Sequence, residues 1–262
     1  ISANPAATVI ISGGNFMTNT ALGTGGGGFF NYSTLIMTNT LIQSNTASGG
    51  GGFINNNGVM TVTGGQILSN TSTNPSVSGG GIRSFNYLKL NGVTIRYNQA
   101  LNGGAGGGII ANDQLIVMDS LIANNLAAGS GGGLSTQGGT ATLDHVSILT
   151  NTALYGGGLS SYGTVSLING SALDNNLGFQ GGGAYNAGTL TISNSQVISN
   201  ATTPSCPGCS SGGGIYNASS LTLRNARIIS NTTANGSGAG AMNTSGGVLY
   251  ASTSAIISNT SG

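Results

Sequence analysis

Apolar residues recur along this chain in short alternating runs, each set off by small polar residues. Residues 181–200, GGGAYNAGTLTISNSQVISN, show the pattern most cleanly. Three extended segments follow one another there: Gly-Gly-Gly-Ala-Tyr-Asn, Thr-Leu-Thr-Ile and Gln-Val-Ile-Ser-Asn. Each is apolar or alternating over about four to six residues, a period that predicts strands and not helices.

The pattern repeats. A Gly-Gly-Gly triplet or near variant begins at Gly26, Gly50, Gly79, Gly106, Gly131, Gly156, Gly181, Gly212 and Gly238, with spacings of 24, 29, 27, 25, 25, 25, 31 and 26 residues. A second column, Ile-x-x-Asn or a relative, closes each unit. It runs Phe16/Asn19, Ile42/Asn45, Ile67/Asn70, Ile95/Asn98, Leu121/Asn124, Ile148/Asn151, Ala172/Asn175, Val197/Asn200, Ile228/Asn231 and Ile256/Asn259. These ten units, each of about 25 residues with three short strands, predict an all-β parallel β-helix (β-solenoid) of about ten coils. It occupies residues 1–262 as a single domain. At a strand spacing of about 4.7–4.9 Å, ten coils make a rod about 45–50 Å long.

Stacking turns each alignment column into a ladder. Leu88/Leu90, Leu115/Val117, Ala141/Leu143, Val165/Leu167, Leu190/Ile192 and Leu221/Leu223 are the expected inward positions of the second strand, and the Ile of Ile-x-x-Asn fills the third. Asn19, Asn45, Asn70, Asn98, Asn124, Asn151, Asn175, Asn200, Asn231 and Asn259 form the expected structural ladder, satisfying backbone groups at each corner and bonding to the Asn above and below. Glycine triplets suit tight bends and close backbone approach. Length varies mainly after the Asn, in residues 71–78, 99–105 and 201–211, so one lateral edge collects the inserts.

Composition narrows the function. The chain has five Lys plus Arg, four Asp, no Glu and a formal net charge of +1. So few charges exclude a nucleic-acid partner held by counterion release. Abundant β-branched residues argue against disorder, and 49 glycines without a three-residue period exclude collagen. No apolar run reaches the length of a membrane span, and no signal peptide is visible. The opening Ile-Ser-Ala-Asn-Pro resembles a processed or trimmed end.

Asp113, Asp119, Asp144 and Asp174 are scattered. A polysaccharide-cleaving β-helix needs clustered carboxylates in a groove, so no catalytic site, cofactor or metal is expected. His145, the sole histidine, shares a column with Asp119, Asn169, Asn194 and Asn225. An Asp119–His145 pair reads as a polar corner, with no Ser nucleophile placed to make it catalytic. Thr140/Thr142, Thr164/Ser166, Thr189/Thr191 and Ser220/Thr222 make an outward hydroxyl array of the kind an ice-binding face uses.

Cys206-Pro207-Gly208-Cys209 sits in the longest insert. Pro then Gly favour a type II turn that brings both ends within about 7 Å, a separation that permits a disulfide stapling the loop in an oxidising compartment. Ladder Asn in Asn-x-Ser/Thr sequons have no room for a glycan, whereas Asn235-Gly-Ser in a connector is a possible glycosylation site.

Gly-Gly-Gly-Ile-Tyr-Asn at 212–217 and Phe16-Met-Thr-Asn19 resemble the Gly-Gly-Ala-Ile and Phe-x-x-Asn signatures of polymorphic outer membrane protein repeats. The resemblance covers nearly the whole chain. It implies a right-handed single-stranded β-helix, secretion and cell-surface display, and it leaves the ligand open.

The combined expectation is a non-enzymatic extracellular or cell-surface structural protein, a β-solenoid rod or filament subunit. Its partner is itself, head to tail, because no capping segment is visible at either end; a fragment of a longer array is the other explanation. The alternative is an adhesin that binds a surface glycan or a host or neighbour-cell receptor through its loop edge. An ice-binding protein and a polysaccharide-active enzyme stand behind these.

Overall fold

The computed structural model describes residues 2–3, 7–23, 25–55, 58–73, 75, 79–204 and 211–262. Among them every regular element is a β-strand of two to five residues. Three sheets of ten strands each run the length of the solenoid. The first face is built from strands such as Leu134–Thr136 and Ala184–Asn186. The second runs from Thr8–Ser12 to Val248–Ser252, and the third from Asn15–Met17 to Ala255–Ile257. Each strand pairs in parallel with its counterpart one coil on, as Leu190 with Leu221 and Val197 with Ile228. A strand too short to hold a hairpin partner of its own gains its hydrogen bonds from the coils on either side.

A fourth strand of two residues, outside the three expected per coil, follows the corner Asn. Leu126–Ala127 and Ala201–Thr202 are examples. These form a five-stranded and a four-stranded sheet joined through isolated bridges at Thr152. Their inward side chains are small, with Ala100, Ala127 and Ala153 buried together.

The second face shows why the strand period dominates. Thr164–Ile168 alternates exposed, buried, half-buried, buried, half-buried, which is the period of two expected of one buried face. Leu88, Leu90, Val117, Leu143, Val165, Leu190, Ile192, Leu221 and Leu223 are fully or almost fully removed from solvent. Phe29, Phe53, Ile82, Ile109, Leu134, Leu159 and Ile215 fill the core from the first face. The core is therefore one continuous apolar column through stacked coils.

Glycine is required where coils approach most closely. A Cβ added to Gly132 would overlap the carbonyl oxygens of Gly157 and Thr152. The glycine before it, Gly131, takes φ 63° in a turn folded against Leu134. The triplet thus serves two separate needs, left-handed backbone first and absence of a side chain second.

Candidate functional site

The ladder is continuous and directional. Asn151 donates its backbone N–H and its Nδ2 to the Oδ1 of Asn176, at 2.9 and 3.1 Å. The same Nδ2 donates at 2.9 Å to the carbonyl of Ile122, one coil back. This pattern repeats from Asn45 through Asn70, Asn98, Asn125, Asn151, Asn176, Asn200 and Asn231. Asn19 and Asn259 stand at its two ends.

Two expected members, Asn124 and Asn175, lie outside the ladder; Asn125 and Asn176 occupy it instead. Both coils carry two consecutive Asn, preceded by two consecutive apolar residues. Ile122 pairs with Ile95, and Leu173 with Val197, so the larger or better-fitting apolar side chain enters the core and shifts the register by one. Asn124 and Asn175 take the corner before the ladder, at φ 54° and 52°. Thr18, Ser44, Ser69, Tyr97, Thr150, Ser199, Ser230 and Ser258 hold the same left-handed corner in the other coils. Asn adopts that conformation at lower cost than a β-branched residue.

A second left-handed column separates the second and third faces: Gly13, Asn39, Gly64, Gly92, Asp119, His145, Asn169, Asn194, Asn225 and Thr253. Asp119 and His145 follow the paired residues Met118 and Asp144, so they occupy successive coils of this column. The side-chain partner of His145 is Asp144, with Nδ1 and Oδ1 2.7 Å apart. Asn169 donates to the same oxygen at 3.0 Å, and Asn225 donates to Asn194 at 2.8 Å. A shallow depression of about 320 Å³ continues along this corner, lined by Gly170, Asn194, Ser195, Gln196, Asn225 and Arg227. Asp113 stands before the second-face strand Gln114–Met118, whereas Asp174 ends a strand of the third face. Burial raises the Asp174 carboxyl pKa, partly offset by a bond from Asn175. Among the described residues no three His, Cys, Asp or Glu gather as a metal site.

The hydroxyl array is in register. Thr140, Thr164, Thr189 and Ser220 form one outward column, and Thr142, Ser166, Thr191 and Thr222 the next. Lys89 and Ile116 precede the second column and Tyr250 follows it.

A tyrosine cluster on the first face was not foreseen from the sequence. Tyr185 and Tyr216 stack at 5.2 Å with their planes 7° apart. Tyr155 and Tyr162 meet Tyr185 at 5.5 and 6.1 Å, tilted by 57° and 48°. Burial, then the phenols of Tyr162, Tyr216 and Tyr155, raise the Tyr185 pKa. The available signal was the Tyr shared by Ala-Tyr-Asn and Ile-Tyr-Asn at equivalent positions; Tyr155 and Tyr162 lie outside any repeated column. Also unforeseen is a second amide ladder at the end of the first face, Asn186 to Asn217 at 2.7 Å and Asn217 to Asn243 at 2.6 Å. Ser161 and Thr136 replace Asn in earlier coils and hide the column in the sequence.

Cys206 and Cys209 lie outside the described residues. Asn235 is exposed in a bend, whereas the sequon residues Asn70, Asn200 and Asn231 are fully buried.

These features define the class: a parallel β-solenoid repeat protein with an internal amide ladder. No family model, curated protein or solved structure matches the chain.

Proposed function

We propose that this chain is a non-enzymatic, extracellular structural rod that assembles head to tail into a filament. The polarity of the Asn ladder carries this reading. Every step donates toward the C-terminal coil, from Asn19 to Asn45 and on to Asn231 and Asn259, so the ladder gives the solenoid one direction. A donor end meets an acceptor end only when copies share one direction. The apolar columns continue in the same way. One column runs from Val9 through Leu35 to Leu221 and Leu249, and another from Phe16 through Ile42 to Ile228 and Ile256. Val9 and Phe16, partly buried against the core at the other end, are the partners of Leu249 and Ile256 in a stacked second copy. Such a contact is heterologous, does not close, and propagates a fibre. With 3% charged residues, little like-charge repulsion opposes it. The motif resemblance to polymorphic outer membrane protein repeats supports the surface location.

Sedimentation of the 262-residue chain over a concentration series tests the reading. Ile256→Asp places a charge in the last coil of the apolar column while leaving the earlier coils intact. Concentration-dependent polymers that this substitution abolishes are the expected result. A monomer at every concentration, or polymers indifferent to Ile256→Asp, overturns head-to-tail stacking.

A further inference from the structure

We propose that Tyr155, Tyr162, Tyr185 and Tyr216, flanked by Gln137 and Gln180, form a binding site for a neutral glycan. Half of the eight tyrosines of the chain gather on this one surface. Tyr185 and Tyr216 lie on adjacent first-face strands, Ala184–Asn186 and Ile215–Asn217, and pair in register. Tyr155 comes from the connector edge, where a bridge places Gln180 one coil above it. Tyr162 follows the strand Leu159–Ser161 at the next corner and is 43% exposed.

The ring geometry separates support from contact. Tyr185 and Tyr216 are parallel and cover one another. Tyr155 and Tyr162 are tilted against that stack, and they are half-buried and 43% exposed respectively. Two tilted faces over a stacked pair make an aromatic shelf, and aromatic rings with polar tips suit surfaces wet on one side and apolar on the other. The C–H face of a sugar ring is the matching surface, and its hydroxyls need amide and phenol partners. Gln137 supplies one amide, held by a 2.8 Å bond from Nε2 to Ser135 and opposite Tyr162 in the next coil. Gln180 supplies another. Ser160 pairs in register with Tyr185, and its buried hydroxyl has no hydrogen-bond partner among the described residues. That leaves an unmet polar group directly under the shelf.

Charge selects the ligand class. In residues 131–230, which include Gln137, the charged side chains are Asp144, Asp174, Arg224 and Arg227, with His145 beside Asp144; Asp144 and Arg224 end second-face strands, Asp174 ends a third-face strand and Arg227 begins one. No charge lies on the first face of these coils, so the site offers nothing to a carboxylated or sulfated polymer. A neutral hexose polymer satisfies the apolar faces and the uncharged donors together.

Affinity electrophoresis tests this, with hydroxyethylcellulose, mixed-linkage β-glucan and galactomannan as neutral probes and polygalacturonate as the anionic control. The expected result is retardation by at least one neutral probe. Tyr162→Ala should weaken it about tenfold, the factor that corresponds to 1.4 kcal/mol, while Tyr162→Phe retains most of it. Since the chain has no Trp, tyrosine fluorescence reports the same titration. No retardation by any neutral probe overturns the proposal, as does retardation only by polygalacturonate. Retardation unchanged in a Tyr155→Ala/Tyr162→Ala double variant also overturns it. A double variant that alters sedimentation but not retardation assigns the surface to a second copy instead. The site stands independently of head-to-tail stacking: Ile256→Asp is expected to leave glycan retardation intact, so failure of one reading is distinguishable from failure of the other.

Discussion

Replacing Asn176 by Ala, beside a control at Asn175, separates two chemically identical neighbours by their place in the corner. Asn176 Oδ1 accepts the Asn151 backbone N–H at 2.9 Å and Asn151 Nδ2 at 3.1 Å. Its Nδ2 donates to the Ile148 carbonyl and to Asn200 Oδ1, both at 2.9 Å. Alanine removes all four bonds in a region closed to water. At about 1 kcal/mol net per bond, the loss is about 4 kcal/mol, and the stranded buried N–H of Asn151 adds about 1–3 kcal/mol. Partial collapse of the site returns some of this, giving about 4–6 kcal/mol. Asn175 is exposed and sits at φ 52°; its side chain donates to Asp174 at 2.9 Å, and its backbone N–H, which glycine keeps, donates to the Ile198 carbonyl at 3.2 Å. Asn175→Gly loses a solvent-screened contact and relieves the left-handed backbone, so a change within about 0.5 kcal/mol is expected. Equilibrium urea unfolding, followed by far-UV circular dichroism and tyrosine fluorescence, measures both. A loss below about 1 kcal/mol for Asn176→Ala, or an equal loss at the two positions, refutes the ladder as a source of stability.

Val197 is fully buried in the third-face column, and Val197→Asp should lower stability by several kcal/mol because an unpaired carboxylate enters the core; an unchanged thermal midpoint would show that this column does not carry the fold. Tyr185 has its pKa raised by burial and by its phenol neighbours. The folded state therefore holds its proton to higher pH than the unfolded chain, and stability falls as pH rises from the ordinary tyrosine pKa through the folded one. Tyr185→Phe should flatten that alkaline loss in pH-dependent urea titrations, and an identical slope would remove the cause. In a glycosylating host, Asn235 should be modified and the buried Asn200 and Asn231 should not, as peptide mass mapping of the glycosylated product would reveal.

The solenoid was legible because its period appears twice, in the glycine triplets and in Ile-x-x-Asn, and because strand alternation survives in each unit. Inward residues such as Leu190 and Ile192 followed directly from that alternation. The ladder register was ambiguous wherever the motif doubled. Leu121-Ile122 with Asn124-Asn125 and Ala172-Leu173 with Asn175-Asn176 each offer two alignments, and core fit decides between them. A local pattern does not encode that decision. Left-handed corners were hidden for a different reason: Asp119, His145, Asn194 and Gly64 share a backbone conformation but little side-chain chemistry. The tyrosine shelf draws on a connector, a corner and two strands, so stacking alone reveals it.

Electron microscopy of the 262-residue chain tests the central claim most directly. Ten coils at about 4.7–4.9 Å give an axial repeat of about 48 Å when each copy sits on the next in register. The account predicts unbranched fibres one solenoid wide with that repeat, polar along their length, and lost in Ile256→Asp. Isolated rods of one molecular length at high concentration would contradict it. So would copies joined side by side through the outward column Ile198, Ile229 and Ile257, with their end coils left open.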